Sequence, residues 1–341
     1  MRIGLIYDLF EDYPWVPGEA PDADAEYEPP ETVAVLAEAV SALGYAPVPV
    51  GTAYDLLRRL DRLELDAAVN IAEGARSRNR EAYVPILLEM AGIPFLGSDA
   101  LTLSLSLDKA WTKDLVVAAG VPTPPYRVYA SADEVDAEDL PGPFPLFVKP
   151  RYEGSSKGIT AESRVETLTA LREQVARVVS AYDQEALVEV FVAGGGEFTV
   201  AVVGNDPPEA LPVLQRAVET TTRIGLHALD RRGLPAHDWD YTLEGTLSPS
   251  LEKELQHLAL RVYDKLQCRD FARLDFRVDA TGRPWFLEIN PLPTFAPDGT
   301  FAILAELMGR TYPDFLADVL GRGFRRLGLP LATRRRNGAP R

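Results

Sequence analysis

The sequence predicts an α/β protein whose C-terminal part is α+β. Short apolar runs alternate with amphipathic helical patterns through residues 1–106, which is typical of a parallel sheet covered by helices. Residues 271–293 instead alternate apolar and polar side chains around a turn at 279–282, which predicts a β-hairpin. The chain of 341 residues is too long for one small domain, so we expect two or three.

The predicted elements follow one another in a regular order. In the N-terminal part, strands at 2–7, 48–50 and 66–71 alternate with helices at 31–43, 54–63 and 81–91. Later periodicities predict a helix ending at Ala119, strands at 144–150, 186–192 and 198–203, and helices at 164–179, 251–266, 301–308 and 315–320. No Gly-x-Gly-x-x-Gly follows the first strand, so a dinucleotide site is not predicted.

Composition excludes several classes of function. The net charge of −16 opposes binding to nucleic acid or to an anionic membrane, because those partners need clustered Lys and Arg. The single cysteine, Cys268, allows no internal disulfide, and the three histidines lack the spacing of a zinc site. No run of about 18 apolar residues occurs, and the first residues have the pattern of a strand rather than of a signal peptide. We therefore expect a cytoplasmic protein.

The predicted hairpin brings acidic side chains to one face. If Val278 pairs with Arg283, alternate residues of the two strands share that face. These residues are Arg273, Asp275, Arg277, Phe286, Glu288 and Asn290. Asp275 is then a diagonal neighbour of Glu288 at roughly 7–8 Å, so both carboxylates, with the amide oxygen of Asn290, suit a magnesium ion shared with phosphates. The alternative is an ordinary hairpin whose polar face is solvated.

A lysine followed by a loop of small residues predicts a phosphate site. Lys149 lies among apolar residues of the strand at 144–150, and a buried lysine needs an anionic partner. The next loop contains Gly154, Ser155 and Ser156, whose backbone N–H groups and hydroxyls suit an anion. A nucleotide phosphate would satisfy both features. The alternative is one of the many glycine-serine loops that hold no ligand.

These motifs together resemble those of one enzyme family. Ala-Arg-Leu-Asp-Phe at 272–276 and Leu-Glu-Ile-Asn-Pro-Leu-Pro at 287–293 are similar to the C-terminal metal motif of the ATP-grasp superfamily, in its D-alanine:D-alanine ligase branch. The resemblance implies three ligands for two Mg²⁺ ions, or for Mn²⁺ in their place, namely Asp275, Glu288 and Asn290. It also implies that Arg273, with Ser155 and Ser156, acts on the transferred phosphoryl group.

The resemblance further implies how ATP is held. The implied contacts are Lys109, Lys149, Glu153, Ser155, Ser156, Glu189, Val192, Glu197, Phe286 and Glu288. Lys109 and Lys149 would reach the phosphates and Glu189 the adenine. Glu197 would bind the ribose, whose two hydroxyls suit a carboxylate acceptor. For Glu189 the alternative is a solvated strand edge, and for Lys109 an ordinary surface lysine.

The family's architecture supplies the expected domain limits. A Rossmann-like pre-ATP-grasp domain would occupy residues 1–106, the ATP-grasp small lobe 107–188, and the C-terminal lobe with the metal site 189–330. Residues 331–341, which include three consecutive arginines, are expected to be a disordered tail. The resemblance also implies small amino acid substrates and a homodimer.

The chain departs from the family pattern at the first substrate. Residues 8–30 replace the family's glycine-rich first loop, in which a glutamate binds the ammonium group of that substrate. Glu26 and Glu28 are the candidates for this role, with a solvated loop as the alternative. Asn70 stands about where the family has a histidine. The first-substrate pocket is therefore expected to differ from the family's.

Two more departures affect the C-terminal lobe. Thr294 stands where the family has a glycine, and Gly299 or Thr300 stands near the serine that receives the second substrate's carboxylate. No lysine occurs between Lys157 and Lys253, where the family carries one on a mobile loop. The alternatives for its role are Arg216, Arg223, Arg231 and Arg232.

We therefore expect an ATP-dependent ligase that joins a carboxylate to an amine through an acyl phosphate and releases ADP. D-Alanyl-D-alanine is one candidate product. A ligase for another amide, either an L-amino acid dipeptide or a specialised-metabolite conjugate, is the first alternative, and Thr294 and the 8–30 insertion favour it. The second alternative is a non-catalytic ATP-binding protein, which would have no use for three metal ligands.

Overall fold

The computed structural model describes residues 1–330, which form three main sheets. The predicted tail at 331–341 lies outside the described residues. Within residues 1–330, no helix combines the length and the apolar character that crossing a bilayer requires. The predicted domain limits at 106/107 and 188/189 stay a proposal.

The N-terminal sheet is parallel, as its alternating pattern predicts. Its strand order is β2 (Ala46–Gly51), β1 (Arg2–Ile6), β3 (Ala67–Asn70) and β4 (Phe95–Leu96). Its helices are α1 (Pro30–Ala42), α2 (Ala53–Arg59), α3 (Tyr83–Ala91) and α4 (Ala100–Leu107). Ile3, Leu5 and Val69 of the sheet are buried together with Leu36 and Val40 of α1, because helices cover a parallel sheet on its faces.

The small lobe is an antiparallel sheet with one helix behind it. After α5 (Lys109–Ala118), the strand order is β5 (Tyr126–Tyr129), β8 (Ala186–Val190), β6 (Leu146–Pro150) and β7 (Arg164–Val165). The helix predicted at 164–179 is observed as α6 (Leu168–Tyr182), and its Leu171, Val175 and Val178 are fully buried against the sheet. The strand that carries Lys149 lies in the middle of this lobe.

The C-terminal lobe is built on a second antiparallel sheet. Its strand order is β10 (Glu209–Ala210), β9 (Gly194–Val203), β14 (Phe271–Asp279) and β15 (Pro284–Asn290), with β11 (Leu214–Arg216) also paired to β9. Smaller elements are β12 (Val218–Glu219), α7 (Leu226–Leu229) and β13 (Tyr241–Thr242). Helix α8 (Pro249–Lys265) buries Leu255, Leu258 and Val262 against this sheet.

The last two helices connect the two ends of the described chain. They are α9 (Thr300–Leu307) and α10 (Tyr312–Arg326), the second being longer than the predicted helix at 315–320. Phe315, Leu320 and Phe324 of α10 share one buried core with the N-terminal sheet. Tyr45 and Phe324 meet edge to face, with ring centroids 5.0 Å apart.

The predicted hairpin is confirmed, but the predicted register is wrong. Val278 pairs with Pro284, so the turn contains one residue more than predicted. Within this longer turn, the Asp279 carboxylate accepts hydrogen bonds from the backbone N–H groups of Thr281 and Arg283. A β-bulge then shifts the register again, so Asp275 faces Glu288 directly. The bulge also turns Phe286 into the core, where it is fully buried. Phe286 therefore does not share the acidic face, and the expectation that it contacts ATP is corrected.

Candidate active site

A cleft opens between the two antiparallel sheets. It contains seven of the predicted site residues: Lys149, Ser156, Glu189, Val192, Glu197, Asp275 and Glu288. Its lining divides between apolar side chains, including Phe147 and Phe191 at a ring separation of 5.8 Å, and charged groups. This division suits a nucleotide, whose base is flat and apolar and whose phosphates are anionic.

Glu189 is held between two lysines at one wall of the cleft. Its carboxylate oxygens lie 2.7 Å from Lys113 Nζ and 2.7 Å from Lys149 Nζ. Burial would raise the pKa of Glu189, but the two ammonium groups lower it to about 2. The alternative of a solvated strand edge is therefore wrong. The cluster carries one negative and two positive charges, so its net charge favours an anion in the cleft.

The hairpin holds an ionised aspartate beside an arginine. Asp275 accepts a hydrogen bond of 2.6 Å from Thr199 Oγ1 and one of 3.1 Å from Arg273 Nε. Burial alone would raise the pKa of Asp275, but Arg273 and the Thr199 hydrogen bond hold it below its usual value. Asp275 is therefore an anion at neutral pH, and the alternative of a fully solvated polar face is wrong.

The donor set on the hairpin fits a magnesium ion that also binds phosphate. Glu288 lies directly opposite Asp275, and directly opposed residues have Cβ atoms about 4.5–5.5 Å apart. Asn290 Oδ1 accepts the Leu292 N–H at 2.9 Å and keeps a second lone pair for another partner. Within residues 1–330 no three His, Cys, Asp or Glu side chains are grouped to hold a metal. Two carboxylates are the usual protein share for Mg²⁺, which takes its other ligands from water and phosphates.

A second cavity adjoins the cleft, and Glu288 lines both. Seven predicted residues line it: Glu26, Lys109, Glu153, Ser155, Arg273, Glu288 and Asn290. Lys109 is buried, donates to the backbone carbonyl of Glu153 and lies 3.8 Å from Glu288. It is therefore not an ordinary surface lysine. Glu153 was expected at ATP, but it faces this second cavity instead.

Glu26 and Glu28 of the 8–30 insertion are buried, which excludes a solvated loop at these two positions. Glu26 is paired with Arg80 and Lys157, each at 2.7 Å. Glu28 accepts from Thr32 at 2.8 Å and from Thr294 at 2.9 Å. Both carboxylates therefore already have partners within the protein.

The remaining predicted substrate residues lie outside the lining of both cavities. Asn70 accepts the Ala72 N–H at 3.0 Å, and Gly299 is the residue before α9. Thr300 accepts a hydrogen bond of 2.6 Å from Arg216. Asn70 and Gly299, whose N–H donates to Ala296 O, thus have partners within the protein. Thr300 is connected through Arg216 to the hairpin face that carries Asp275.

Of the four candidate arginines, Arg216 lies at the face of the hairpin that carries Asp275. Its Nε donates to Thr199 Oγ1 at 3.1 Å, and that hydroxyl in turn donates to Asp275. Arg231 and Arg232 point elsewhere and pair with Asp22 and Asp24 at 2.6 and 2.9 Å. Arg216 is therefore the candidate best placed to replace the missing lysine.

Several residues that line the cleft or contact its lining were not predicted as site residues, although some left a signal in the sequence. Lys113 follows Lys109 by four residues on α5, which places both on one face of the helix. Phe147 precedes Lys149 by two residues on β6, which places both on one face of the sheet. Arg277 lies 3.4 Å from Glu197. This contact forms because β14 of the hairpin pairs with β9, and that pairing was not predicted from the sequence.

Two acids in the second cavity, Glu73 and Glu81, make the stability of the protein depend on pH. Burial raises the pKa of Glu81 from 4.5 to about 7, and burial next to Glu81 raises the pKa of Glu73 well above its usual value. Protonation is then favoured in the folded state, so the free energy of unfolding falls as pH rises from about 4.5 to above 7. We expect Glu81→Gln to stabilise the protein at pH 8 by on the order of 1–3 kcal/mol, with little effect at pH 5.

Urea denaturation of both proteins across pH 5–8 measures this effect. Glu89→Gln is the matched control, because Glu89 is exposed on the adjacent helix α3. A stability difference between Glu81→Gln and the parent that stays constant with pH would contradict the raised pKa.

The proteins similar to this chain include a described family and several D-alanine–D-alanine ligases. The family described as D-ala D-ala ligase C-terminus matches residues 115–321. A D-alanine–D-alanine ligase of Ectopseudomonas mendocina is 33% identical over 282 residues, 83% of this chain and 85% of that protein. An uncharacterized protein of Sinorhizobium fredii is 33% identical over 262 residues, 75% of this chain and 74% of that protein.

A solved structure confirms the predicted fold class. The crystal structure of D-alanine–D-alanine ligase from Bacillus anthracis complexed with ATP matches with a TM-score of 0.69 and 22% identity, over 96% of this chain and 98% of that chain. The two-lobed ATP-grasp architecture, preceded by a Rossmann-like sheet, is therefore the fold of this chain.

Proposed function

The chain belongs to the D-alanine–D-alanine ligase family of ATP-dependent amide-bond ligases, and on that premise we propose how it works. It transfers the γ-phosphoryl group of ATP to the carboxylate of one small amino acid, and the amine of a second one then displaces phosphate. The products are a dipeptide, ADP and phosphate. We also propose that it acts as a homodimer, as the family resemblance implies. Its location would be the cytoplasm, as expected from the sequence.

The observation that supports this proposal best is that two cavities share one carboxylate. Glu288 lines both the nucleotide cleft and the second cavity, and Arg273 and Lys109 lie beside it in the latter. Phosphoryl transfer requires the γ-phosphate and the acceptor carboxylate to be adjacent and aligned. Two cavities that meet at such a charged junction provide that adjacency.

The chain's own groups can carry the electrostatic part of the reaction. Both reactants are anionic, so cations must reduce their repulsion, and Lys149, Lys109 and Arg216 are the candidates along the path. The amine attacks the carbonyl carbon of the acyl phosphate, and the tetrahedral oxyanion collapses as the C–O bond to phosphate breaks. Arg273 lines the second cavity and is positioned to stabilise that oxyanion. The ammonium proton of the attacking amine is released to solvent or to a cavity carboxylate.

Magnesium would be held by Asp275, Glu288 and Asn290 together with the phosphates of ATP. When bound, it neutralises charge that develops on the phosphate oxygens. The residues fit this role because their oxygens are hard donors on one face of a rigid hairpin.

A second specificity stays an alternative, because the first-substrate pocket departs from the family pattern. In the family a first-loop glutamate receives the substrate ammonium, whereas here Glu26 is neutralised by Arg80 and Lys157. Thr294, in a family glycine position, is bonded to Glu28 instead. An amino acid pair other than two D-alanines is therefore the alternative within the same chemistry.

The test is an ADP-release assay with Mg²⁺ and pooled D- and L-amino acids. ADP release with D-alanine alone would identify the first specificity, and release only with other pairs would identify the second. ATP binding without amino-acid-dependent ADP release from any pool would contradict the ligase proposal.

A further inference from the structure

The most unusual segment of the chain is a short acidic run within the 8–30 insertion. We call residues 22–28 the acidic strap. Its four acids occupy alternate positions and all are buried: Asp22, Asp24, Glu26 and Glu28. The run folds into two consecutive turns, in which the Ala25 N–H donates to Asp22 O and the Tyr27 N–H donates to Asp24 O. Charged residues are rarely buried unless they are paired, so each acid should have a specific partner.

Two of these acids hold the two ends of the phosphate loop, residues 154–158. Glu26 Oε1 accepts the Gly154 N–H at 2.6 Å, and Asp22 Oδ2 accepts the Gly158 N–H at 3.0 Å. Lys157, between these ends, lies 2.7 Å from Glu26. The strap therefore holds both ends of the loop, while Ser156 lines the nucleotide cleft.

The loop itself has features that call for such support. A Cβ atom at Gly154 would lie 2.6 Å from Glu26 Oε1, so the close approach of that carboxylate requires glycine. Ser155 and Ser156 have φ values of +45° and +58°, a left-handed conformation that is unfavourable for residues other than glycine. Contacts from outside the loop must stabilise this conformation.

The other two acids anchor the strap to the C-terminal lobe. Asp24 pairs with Arg232 at 2.9 Å, and Glu28 accepts from Thr294 at 2.9 Å just after the metal hairpin. Asp22 also pairs with Arg231 at 2.6 Å. The strap thus joins the phosphate loop of one lobe to two loops of the other.

We propose that the acidic strap positions the phosphate loop over the nucleotide cleft before ATP binds, with Asp22 and Glu26 as the positioning residues. A loop that is already ordered loses less conformational entropy when the nucleotide binds, so affinity is gained without any new contact to ATP. The expected change in the KM for ATP rests on the proposed function. The ordering of the loop is a property of the protein without substrates.

Glu26→Gln tests the strap, because glutamine keeps the shape and an acceptor oxygen but removes the charge. We expect amide hydrogen exchange across residues 152–159 of the ATP-free protein to become about tenfold faster. Because Glu26 also lines the second cavity, the kinetic readout is taken from Asp22→Asn, whose side chain lines neither cavity. In that variant the KM for ATP should rise about tenfold while kcat changes by less than about threefold. Glu11→Gln is the matched control, an exposed glutamate in the same insertion, and should match the parent in both measurements.

Asp22→Asn repeats the test at the other end of the loop and decides the outcome if Glu26→Gln does not fold, as judged by circular dichroism. Faster exchange at 152–159 in the folded variant, with a raised KM for ATP, supports the strap. Unchanged exchange overturns the proposal, and so does a lowered KM, which would mean that the carboxylates compete with phosphate. If the parent releases no ADP with any amino acid, the proposed function fails, while the exchange measurement still decides the role of the strap.

Discussion

Replacing Glu288 with glutamine is expected to lower kcat by about 10²–10³-fold, in line with the removal of one preorganised charged group from a transition-state site. Glu288 faces Asp275 across the hairpin and lines both cavities, so its charge acts on the nucleotide side and the acceptor side together. Glutamine preserves the size of the side chain but is a poor ligand for Mg²⁺. ADP release at saturating ATP and Mg²⁺ measures the effect.

A matched variant separates this loss from a general effect of removing a negative charge. Glu306 is exposed on α9, and Glu306→Gln should retain the parent's rate. Because the Glu288 side chain is 29% exposed, its replacement should leave the fold and the melting temperature nearly unchanged. Glu288→Gln with the parent's kcat would show that the hairpin carboxylates do not serve catalysis.

The second large effect is expected at Arg273. Arg273→Gln should lower kcat by about 10²–10³-fold, because it removes the charge positioned for the oxyanion and leaves Asp275 without its guanidinium partner. Arg273→Lys keeps the charge but lacks the planar fork, so it should recover only part of the rate. The dissociation constant for ATP should change much less than kcat in both variants.

Steady-state kinetics combined with direct nucleotide binding measure both quantities at Arg273. A variant that loses ATP affinity in proportion to its rate would place Arg273 on the nucleotide rather than on the reacting carboxylate. Thermal unfolding of both variants serves as the control for the loss of the partly buried Arg273–Asp275 pair.

The local periodicity of apolar residues predicted most helices and strands, but not the exact pairing of the two hairpin strands. The alternation through 271–293 predicted the two strands and the acids they carry. The register depends on the Asp279 carboxylate, which accepts two backbone N–H groups of the turn, and on a bulge after Asp275. Such side-chain contacts do not appear in a pattern of apolar and polar residues. As a result, Phe286 was assigned to the wrong face.

Partners that are distant in sequence explain the other differences. Lys149 was correctly expected to need an anion, but Glu189 provides it from a neighbouring strand 40 residues later. The acids at 22–28 were visible as a run, yet their partners lie at Arg80, the phosphate loop and Arg231. A single sequence does not reveal which buried charges meet. It could predict the kinds of residues in the site but not the network that joins them.

The central claim is that the phosphoryl group of ATP passes to a substrate carboxylate, and an isotope measurement tests it most directly. The first amino acid of the most active pair would be labelled with ¹⁸O in its carboxylate, and the phosphate released during turnover would be analysed by mass spectrometry. Each phosphate should contain one ¹⁸O atom from the carboxylate, because the acyl phosphate breaks at its C–O bond. Released phosphate that contains no ¹⁸O would contradict transfer of the phosphoryl group to the carboxylate.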